Sequence, residues 1–446
     1  MNSCSRPDAV IVITNSGSLG GCLTVTHTVL TFVAPVKPQE VDELRSLLHE
    51  IGKDIPGNRL IQFATLRFVH FASLWLIEGT DDGGFEPQFV FESNFDGPLD
   101  PYLDELFDRA GDALHRLYGC CVDYLGTNAS DRVSMISYLR AHVLRSNACY
   151  IGTAGRTLER VNQESALTDS LQLYLDDLVK KGAAGSPPAS IREKLQAFAR
   201  KQPGLAWALN SPQRLTPVAQ FMPWVRIISA GLLALVLLPV LIPVLLIGVI
   251  VLRYKETRDP PTPSEDKNHT KQLAEREDRT HIVQNHMAHI TVVKPGLFRQ
   301  VTLRTVLWLA NLVAGISLKG TLLGIPSIHF AHWSLIDNGR RLLFVSNFDG
   351  SWENYLDDFI DKGSFGLTAI WSNTVGFPRT RFLFFDGARD GVRFKAFARD
   401  NQRYTNAWYS AYPDLTVQTI DNNSNLRDAL FSPLDDAATR AWLWRF

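Results

Sequence analysis

The sequence predicts an α+β protein made of two tandem copies of one unit, with an apolar membrane segment inserted between them. Three observations carry this prediction. The stretch FVFESNFDGPLDPYLDEL (Phe89–Leu106) recurs as LLFVSNFDGSWENYLDDF (Leu342–Phe359). Further matching blocks flank both copies in the same order. Between the copies, residues 227–252 carry no charged side chain.

The flanking blocks extend the match to the size of a domain. LRFVHFASLWLI matches IPSIHFAHWSLI, so that His70 aligns with His329. RSNACYIGTA matches RYTNAWYSAYP, so that Asn147 aligns with Asn406. A repeat this long exceeds the unit of a solenoid and indicates two domain-sized copies.

Each copy has the same predicted element order. THTVLTFVAP and MAHITVVKPG are rich in Val, Ile and Thr and predict first strands. KPQEVDELRSLLHEI and the more apolar LFRQVTLRTVLWLANLVAGI then predict helices. The His-Phe-Ala strands follow, and the Asn-Gly pair in LIDNGRRLLFV predicts a hairpin to the third strand. Two helices and a last strand, NACYIGTA or NAWYSAYP, complete each copy.

The repeated SNFDG lies where the third strand ends and a helix begins. We expect Asp96 and Asp349 to cap that helix, because a carboxylate can accept hydrogen bonds from the free N–H groups of the first turn. Gly97 and Gly350 would permit the sharp turn. A cap and a turn explain much of the motif without any catalysis.

The order of strands and helices is the split βαβ pattern. The duplicated arrangement resembles the ferredoxin-like units of the dimeric α+β-barrel superfamily, in which two sheets pack face to face. The resemblance implies that the two copies pack as a pseudo-dimer within one chain. The predicted domains are a first repeat (24–180), a linker and membrane insert (181–283), a second repeat (284–431) and a C-terminal tail (432–446).

The apolar segment from Ile227 to Leu252 exceeds the ~20 residues that cross a bilayer core as a helix. Pro239 and Pro243 lie near its midpoint, where each removes a backbone donor and obstructs a straight helix. Basic residues flank both ends, which favours two cytosolic ends. The segment therefore predicts attachment to a lipid bilayer.

Two topologies of this segment are open. A re-entrant hairpin would keep both repeats in the cytosol and let them pair. A single kinked membrane-spanning helix would place them on opposite sides, and each repeat would then need a second chain, giving a homo-oligomer. The duplication favours the hairpin, whereas hydropathy alone favours the span.

Composition limits the classes of function. The chain of 446 residues is 45% hydrophobic and 20% charged, which suits packed cores. Its net charge of −1 provides no field that would gather nucleic acid. The five cysteines form no CxxC pair and no zinc-type cluster. This pattern predicts buried thiols in a reducing, cytosolic environment and no metal site.

Three residues are candidates for cofactor binding. GARDG resembles the Gly-x-x-Asp-Gly of dye-decolourising peroxidases, with Asp390 in the Asp position, although no histidine follows His332 to serve as that family's haem ligand. His70 and His329 would lie about a pseudo-twofold axis, where an imidazole can ligate haem or a metal, or act as a base. A strand histidine bonded to a backbone carbonyl is the plainer interpretation. Because strand side chains alternate, His332 is expected on the opposite face from His329.

No nucleophile elbow, phosphate loop or HExxH motif occurs, so the sequence identifies no catalytic residue. The first hypothesis is a membrane-attached binding or scaffold protein that presents a duplicated barrel in the cytosol to a small lipophilic ligand. The alternative is a haem-dependent, peroxidase-like oxidoreductase with His70 or His329 as the ligand.

Overall fold

Two five-stranded antiparallel sheets organise the chain into a mixed α+β fold, which confirms the predicted class. A computed structural model describes residues 27–80, 84–210, 217–260, 267–280, 283–316, 321–322 and 324–446. The predicted start of the first repeat, at residues 24–26, lies outside the described residues.

The first half contains the long strands and helices that the sequence predicts, together with β4 and α4, which it does not predict. Its elements are β1 (His27–Pro35), α1 (Val41–Lys53), β2 (Val69–Ile77), β3 (Gln88–Asp96), α2 (Leu99–Gly119), α3 (Arg132–Ala141), β4 (Val143–Leu144), β5 (Ala148–Ile151) and α4 (Leu158–Lys180).

The connecting segment is helical wherever the structure describes a regular element in it. Its helices are α5 (Pro188–Lys201), α6 (Pro217–Val236), α7 (Leu238–Glu256) and α8 (Lys267–Thr280).

The second half repeats the order of the first and adds a short hairpin, β9 with β10. Its elements are β6 (Gln284–Val292), α9 (Leu297–Ile316), β7 (Ile328–Ile336), β8 (Arg341–Asp349), α10 (Trp352–Trp371), β9 (Thr380–Arg381), β10 (Phe385–Asp386), α11 (Gly391–Asn401), β11 (Gln402–Arg403), β12 (Ala407–Ser410), α12 (Val417–Leu430) and α13 (Asp436–Leu443).

Each sheet is completed by a strand from the other half. The first sheet has the order β12-β2-β3-β1-β4, and the second has the order β11-β6-β8-β7-β5. Strand β5 of the first half thus pairs with β7, and β12 of the second half pairs with β2. The sequence placed NACYIGTA and NAWYSAYP as the last strands of their own copies; the structure shows that they are exchanged.

Two equivalent asparagines fix the exchanged strands. The Asn147 side chain accepts a hydrogen bond from the Leu335 N–H at 2.8 Å, and the Asn406 side chain accepts one from the Leu76 N–H at 3.3 Å. Each asparagine thus lies just before the exchanged strand and bonds to the far half. The recurrence of Asn in both copies therefore has a structural cause.

The two sheets face each other, and helices cover their outer faces. The inner faces share an apolar cluster that includes Trp75, Val90, Ile290, Leu343 and Val345, all buried. The outer faces pack on α1 and α2 in the first half and on α9 and α10 in the second. The core of the protein therefore lies in three layers, with the inter-sheet layer shared by both halves.

Two predictions about the polar segments were wrong. Residues Pro188–Lys201, expected to be linker, form α5. The C-terminal tail forms α13, and both helices pack with α4 and α12 around Leu195, Leu430 and Trp442. Because these helices bury apolar side chains against each other, the sequence between Lys181 and Leu209 is part of the folded body.

The apolar segment forms two helices that meet at Leu237. Pro239 occupies the first turn of α7, where its missing N–H costs no helical hydrogen bond, while Pro243 lies inside α7. Among the described residues, one helix, Leu238–Glu256, is long and apolar enough to cross a membrane, and only 6% of its apolar window is buried in the protein. Phe221–Val236 is a shorter apolar helix.

The exchange of β5 predicts a strong effect at Gly152. A Cβ at this position would lie 2.0 Å from the backbone oxygen of Ile328, which the β7 ladder holds in place. We expect Gly152→Ala to lower the free energy of unfolding by at least about 1–3 kcal/mol, the usual cost of overpacking. Denaturant unfolding followed by tryptophan fluorescence measures the change.

Gly119→Ala is the matched control, because nothing lies within 4 Å of a Cβ at Gly119. It lies at the end of α2, where alanine should change stability by less than about 1 kcal/mol. Equal effects of the two substitutions would contradict the close approach of β5 to β7.

Candidate functional site

The repeated SNFD has the same geometry in both halves. Phe95 stacks on Tyr102 with ring centroids 3.8 Å apart, and Phe348 stacks on Tyr355 at the same 3.8 Å. These phenylalanines face the outer helices, so the residues on either side of them face the other sheet. Gly97 and Gly350 follow with φ of +90° and +82°, a region that glycine adopts without steric cost.

The asparagine of each SNFD meets its counterpart between the sheets. The Asn347 side-chain amide donates to the Asn94 side-chain carbonyl at 3.1 Å, and both residues are fully buried. The Trp408 indole N–H donates to the Asn347 carbonyl at 2.8 Å. This contact joins the two halves directly and satisfies polar groups that would be costly to bury alone.

Asp96 does not cap the helix that follows it. Helix α2 begins at Leu99 after Pro98, with no side-chain cap. Asp96 instead accepts the Leu158 N–H at 2.7 Å, at the first residue of α4, and the His70 Nε2–H at 2.9 Å. The capping prediction was therefore wrong about the helix, because α4 returns to Asp96 from the exchanged strand.

Asp349 repeats this arrangement. Its carboxylate contacts His329 Nε2 at 2.7 Å and accepts the Val417 N–H of α12 at 2.8 Å. The helix that follows it, α10, is capped by Ser351 instead. We refer to His70, Asp96, His329 and Asp349 together as the twin His–Asp site.

The structure brings His70 and His329 together around Tyr412. Their ring centroids lie 5.6 and 5.8 Å from the Tyr412 ring. The Tyr412 hydroxyl is 2.9 Å from His70 Nδ1. Both histidines are fully buried, and aromatic rings of the facing sheet cover them: Phe330 lies against His70 and Phe71 lies against His329.

The expected orientation of His332 was wrong. A β-bulge between Ile328 and Phe330 interrupts the alternation of side chains in β7. His329 therefore packs against Phe71, while His332 Nε2 lies 3.0 Å from Thr31 Oγ1, so that both histidines contact the opposite sheet.

His27 extends the twin His–Asp site in the first half only. Potential ligating atoms of His27, His70 and Asp96 lie within 4.8 Å of one another, a set of types that can bind a transition metal. The Gly155 N–H, however, points at His27 Nε2 at 3.0 Å, so this nitrogen accepts and the proton lies on Nδ1, 3.0 Å from Asp96. A metal would need Nδ1 free of its proton, so the hydrogen bonds fit these residues better than a metal does.

The charges follow from this arrangement. Burial lowers the pKa of His27, which favours the neutral ring. Burial alone would raise the pKa of Asp96, but His70 and His27 outweigh it and hold that pKa well below its usual range. Asp96 is therefore a carboxylate that accepts from His70 and from a helix N-terminus and lies 3.0 Å from His27 Nδ1, which suits a structural clasp.

The contacts of Asp390 are separate from those of His70 and His329. Its carboxylate caps α11 by accepting the Arg393 N–H at 3.2 Å, and it pairs with the Arg393 guanidinium at 2.7 Å. A helix cap at the protein surface accounts for the Asp-Gly of GARDG. None of the contacts described for Asp390 reaches His70 or His329.

A second polar group lies deeper between the sheets, around Glu92. Glu92 is fully buried and accepts from Ser73 at 2.9 Å and from Asn94 at 2.5 Å. Burial would raise the pKa of Glu92, but contacts with His286, 3.8 Å away, and His332 hold it below the usual value. Burial lowers the pKa of His332 to about 4. Glu92 is therefore a buried carboxylate with an imidazole between it and the surface.

His286 leads from Glu92 to a cleft of about 600 Å³. We define the cleft by the C-terminal end of α1, by α8 and by the segment from Gln402 to Pro413. Most of its exposed wall is apolar, and three of its polar side chains, Asn285, His286 and Gln402, are more than nine-tenths buried. Lining residues include Ile55, Pro56, Leu273, Asn285, His286, Trp408 and Tyr409, and the charged side chains of the lining are Lys53, Asp54, Glu277 and Arg403.

The equivalent place in the first half is nearly closed. The cavity beside His27, Val29 and Cys149 measures about 30 Å³. Helix α9 covers it, and Asn311 of α9 accepts the Cys149 N–H at 3.3 Å. Because α1 has 13 residues and α9 has 20, the shorter α1 does not cover the equivalent place beside His286, which stays open as the cleft.

Sequence reasoning missed Tyr412, His27, Glu92, His286 and Trp408. One signal was available for Glu92, because it aligns with Val345 of the second copy, directly before the matching SNFD. A carboxylate that replaces a core valine marks a place where the copies have diverged. Comparisons with family models, with curated proteins and with solved structures find no match to this chain. The class that the fold and these sites define is a mixed α+β protein with two interlocked halves and an open cleft beside His286.

The twin His–Asp site predicts acid sensitivity. Asp96→Asn removes the charged acceptor of two donors, His70 and the Leu158 N–H, and should lower the free energy of unfolding by about 1–3 kcal/mol at pH 7. Because the folded-state pKa of Asp96 is depressed, its contribution is complete above the unfolded pKa of about 4 and is lost as the pH falls below it. Unfolding curves of both proteins from pH 7 to pH 3 measure the difference.

Asp112→Asn serves as the control, because Asp112 is exposed on α2. This variant should follow the wild type at every pH. A gap between wild type and Asp96→Asn that stays constant down to pH 3 would contradict the role of the Asp96 charge.

Proposed function

We propose that this chain is a membrane-attached binding protein on the cytosolic side of a lipid bilayer, with a cleft for a small lipophilic ligand. In this proposal the halves are ferredoxin-like repeats that close on each other as a dimeric α+β barrel. The observation that carries it is that both ends of the exposed apolar helices α6 and α7 contact the same folded half.

The strand order supports the barrel interpretation. In each sheet the third strand of the half lies between the first and the second, and a short fourth strand lies beside the first. This is the antiparallel arrangement of the split βαβ unit. Since both halves pair within one chain, the proposal requires no second copy.

The exposed apolar surface supports contact with lipid. Helices α6 and α7 expose apolar side chains on nearly all sides, and α9 adds a stripe at helical spacing. Such a surface is far more apolar than a water-exposed helix. The exposed residues of the α9 stripe are Leu297, Val301, Trp308, Leu309 and Val313.

The ends of the apolar segment support a bent, monotopic attachment. Near one end, Pro223 lies against Gly315 in the last turn of α9. At the other end, Asp259 pairs with Lys294 at 2.6 Å and with Arg299, in the first turn of α9, at 2.9 Å. These two places are about 24 Å apart along α9, whereas a straight helix from Pro223 to Glu256 would be about 50 Å long. The segment must therefore bend back.

The flanking charges support the cytosolic side. Arg226 precedes the apolar run, and Arg253, Lys255 and Arg258 follow it. Basic residues at both ends favour the cytosolic face of a membrane. The described cysteines are unpaired, and burial raises the pKa of Cys120 to about 11 and of Cys121 to about 12, as for ordinary core thiols.

The cleft supports ligand binding. Its volume suits a small molecule, and Ile55, Leu273, Trp408 and Tyr409 give it apolar walls. The side-chain oxygen of Asn285, Oδ1, has no hydrogen-bond partner among the described residues, so it can accept a hydrogen bond from the ligand. The ligand class that fits is a lipophilic molecule with one polar end.

The haem-dependent alternative does not fit the histidines. Both nitrogens of His70 are engaged, by Asp96 and by Tyr412. His329 bonds to Asp349 through Nε2, and its ring packs between Phe71 and Tyr412. His329 Nδ1 has no hydrogen-bond partner among the described residues, but aromatic rings lie against both histidines where a porphyrin would have to pack.

Membrane attachment predicts flotation with vesicles. After detergent removal, the wild type should float with vesicles of phosphatidylcholine and phosphatidylglycerol. The variant Leu245→Glu, Ile250→Glu should not float, because each charge costs about 2–3 kcal/mol in the bilayer core. The control Leu173→Glu, Val179→Glu changes exposed residues of α4 and should float like the wild type.

The bent topology has its own readout in the same vesicles. Single cysteines at Lys201 and Lys271, both exposed, should react equally with a membrane-impermeant maleimide in a background without native cysteines. Labelling on opposite sides would overturn the monotopic arrangement. A chain that fails to float and instead dimerises would show that a second copy covers the apolar surface.

The cleft predicts a site for a photoreactive probe. A diazirine-bearing long-chain alcohol should crosslink to peptides that contain Ile55 or Trp408. Ala64→Trp should reduce this labelling several-fold, because Ala64 is exposed in the cleft and indole would fill it. Ala437→Trp, at an exposed alanine of α13, should leave it unchanged. Labelling confined to α6 and α7 would contradict a ligand site in the cleft.

A further inference from the structure

A phenylalanine-rich hairpin lies directly beside the end of α7. Strands β9 and β10 pair through Arg381 and Phe385, and the loop from Phe382 to Phe384 joins them. Phe382 is 44% exposed and Phe385 is 42% exposed. Phe365 of α10, itself 51% exposed, stacks on Phe384 with ring centroids 4.2 Å apart. Aromatic side chains in this density are rare on a surface that faces only water.

The backbone of this hairpin is strained. Phe382, Leu383 and Asp386 have φ of +53°, +69° and +64°. Bulky residues rarely adopt this left-handed region, and they persist there only where the surroundings hold them. Two-residue strands cannot supply that support, because even longer isolated hairpins are only marginally stable.

Glu256, the last residue of α7, holds the hairpin. Its carboxylate accepts the N–H groups of Phe382 at 2.9 Å and Leu383 at 2.8 Å, and the hydroxyl of Thr380 at 3.1 Å. The Arg253 guanidinium donates to the same carboxylate at 3.1 Å and lies 5.6 Å from the Phe382 ring centroid. Glu256 is 2% exposed. A buried carboxylate thus fastens the strained loop to the final turn of the apolar helix.

We infer that this hairpin is a second membrane-contacting element, which places Phe382 and Phe385 in the interfacial layer of the bilayer and is positioned by Glu256. The inference rests on the proposed membrane attachment and adds a separate contact to it. The material that covers these phenylalanines is lipid, because the hairpin is continuous with the apolar surface of α7. Arg253, Lys255 and Arg381 accompany the phenylalanines, and basic residues beside aromatic ones are typical of the headgroup region.

Spin labels at single cysteines test the inference in the full chain. The background replaces the native cysteines by alanine or serine, and the vesicles contain phosphatidylcholine and phosphatidylglycerol. Labels go on Phe382→Cys and Phe385→Cys in the hairpin, Leu245→Cys in α7 and Val133→Cys, an exposed site of α3. The ratio of collision rates with oxygen and with a water-soluble nickel chelate should be highest at 245, several-fold above 133 at 382 and 385, and lowest at 133.

The outcomes separate this inference from the proposed function. If the labels at 382 and 385 match that at 133 while 245 is in lipid, the hairpin inference fails and membrane attachment stands. If the label at 245 is also in water, both fail.

The positioning role of Glu256 has a separate test. Glu256→Gln should move the labels at 382 and 385 toward the aqueous value and leave that at 245 in lipid, because an amide is a weaker acceptor for the four donors, three of them in the hairpin. Glu193→Gln, at an exposed glutamate of α5, should change neither. Unchanged depth at 382 and 385 in Glu256→Gln would overturn the positioning role.

Discussion

The reciprocal exchange of β5 and β12 is the constraint on which the rest of this structure depends. Each strand crosses to the opposite sheet, and the chain then returns to its own half, where the next helix places its first N–H on a partly buried aspartate. Asp96 and Asp349 therefore close a loop that passes through the other half. Separating the halves would break both sheet edges and leave both carboxylates without their helix donors, so the two halves are expected to fold as one unit.

This constraint explains which features the copies share and where they differ. The shared residues are those that the exchange needs: the paired asparagines, the stacked phenylalanines and the twin His–Asp site. The differences lie near the exchanged strands. Glu92 of the first half is equivalent to Val345 of the second, and the short α1 is equivalent to the long α9. The two halves share this frame, and the cleft lies where they differ.

The sequence predicts the order of the first three strands along each half and the glycine turns, because these follow from local pattern, but it does not predict the short strands β4 and β11. It does not predict the exchange, since NACYIGTA reads as the same strand whichever sheet it joins. The capping prediction for Asp96 failed for that reason: the helix that reaches this carboxylate arrives from a distant part of the chain. The orientation of His332 was wrong because a single-residue bulge reverses the parity of a strand, and the side-chain pattern carries no record of it.

The connecting segment links the apolar helices to the cleft. It supplies α6 and α7, and its polar continuation α8 forms one wall of the cleft through Leu273 and Glu277. Glu277 accepts from Arg399 at 2.8 Å and from Gln402 at 2.9 Å, so that α8 is fastened to the strand that borders the cleft. At the other end of the linker, Asp259 fastens α7 to the start of α9. The proposed membrane attachment and the proposed ligand site thus share one connecting segment, which carries α6 and α7 and also supplies α8 as a wall of the cleft. This shared segment is the physical reason for proposing attachment and binding as one function.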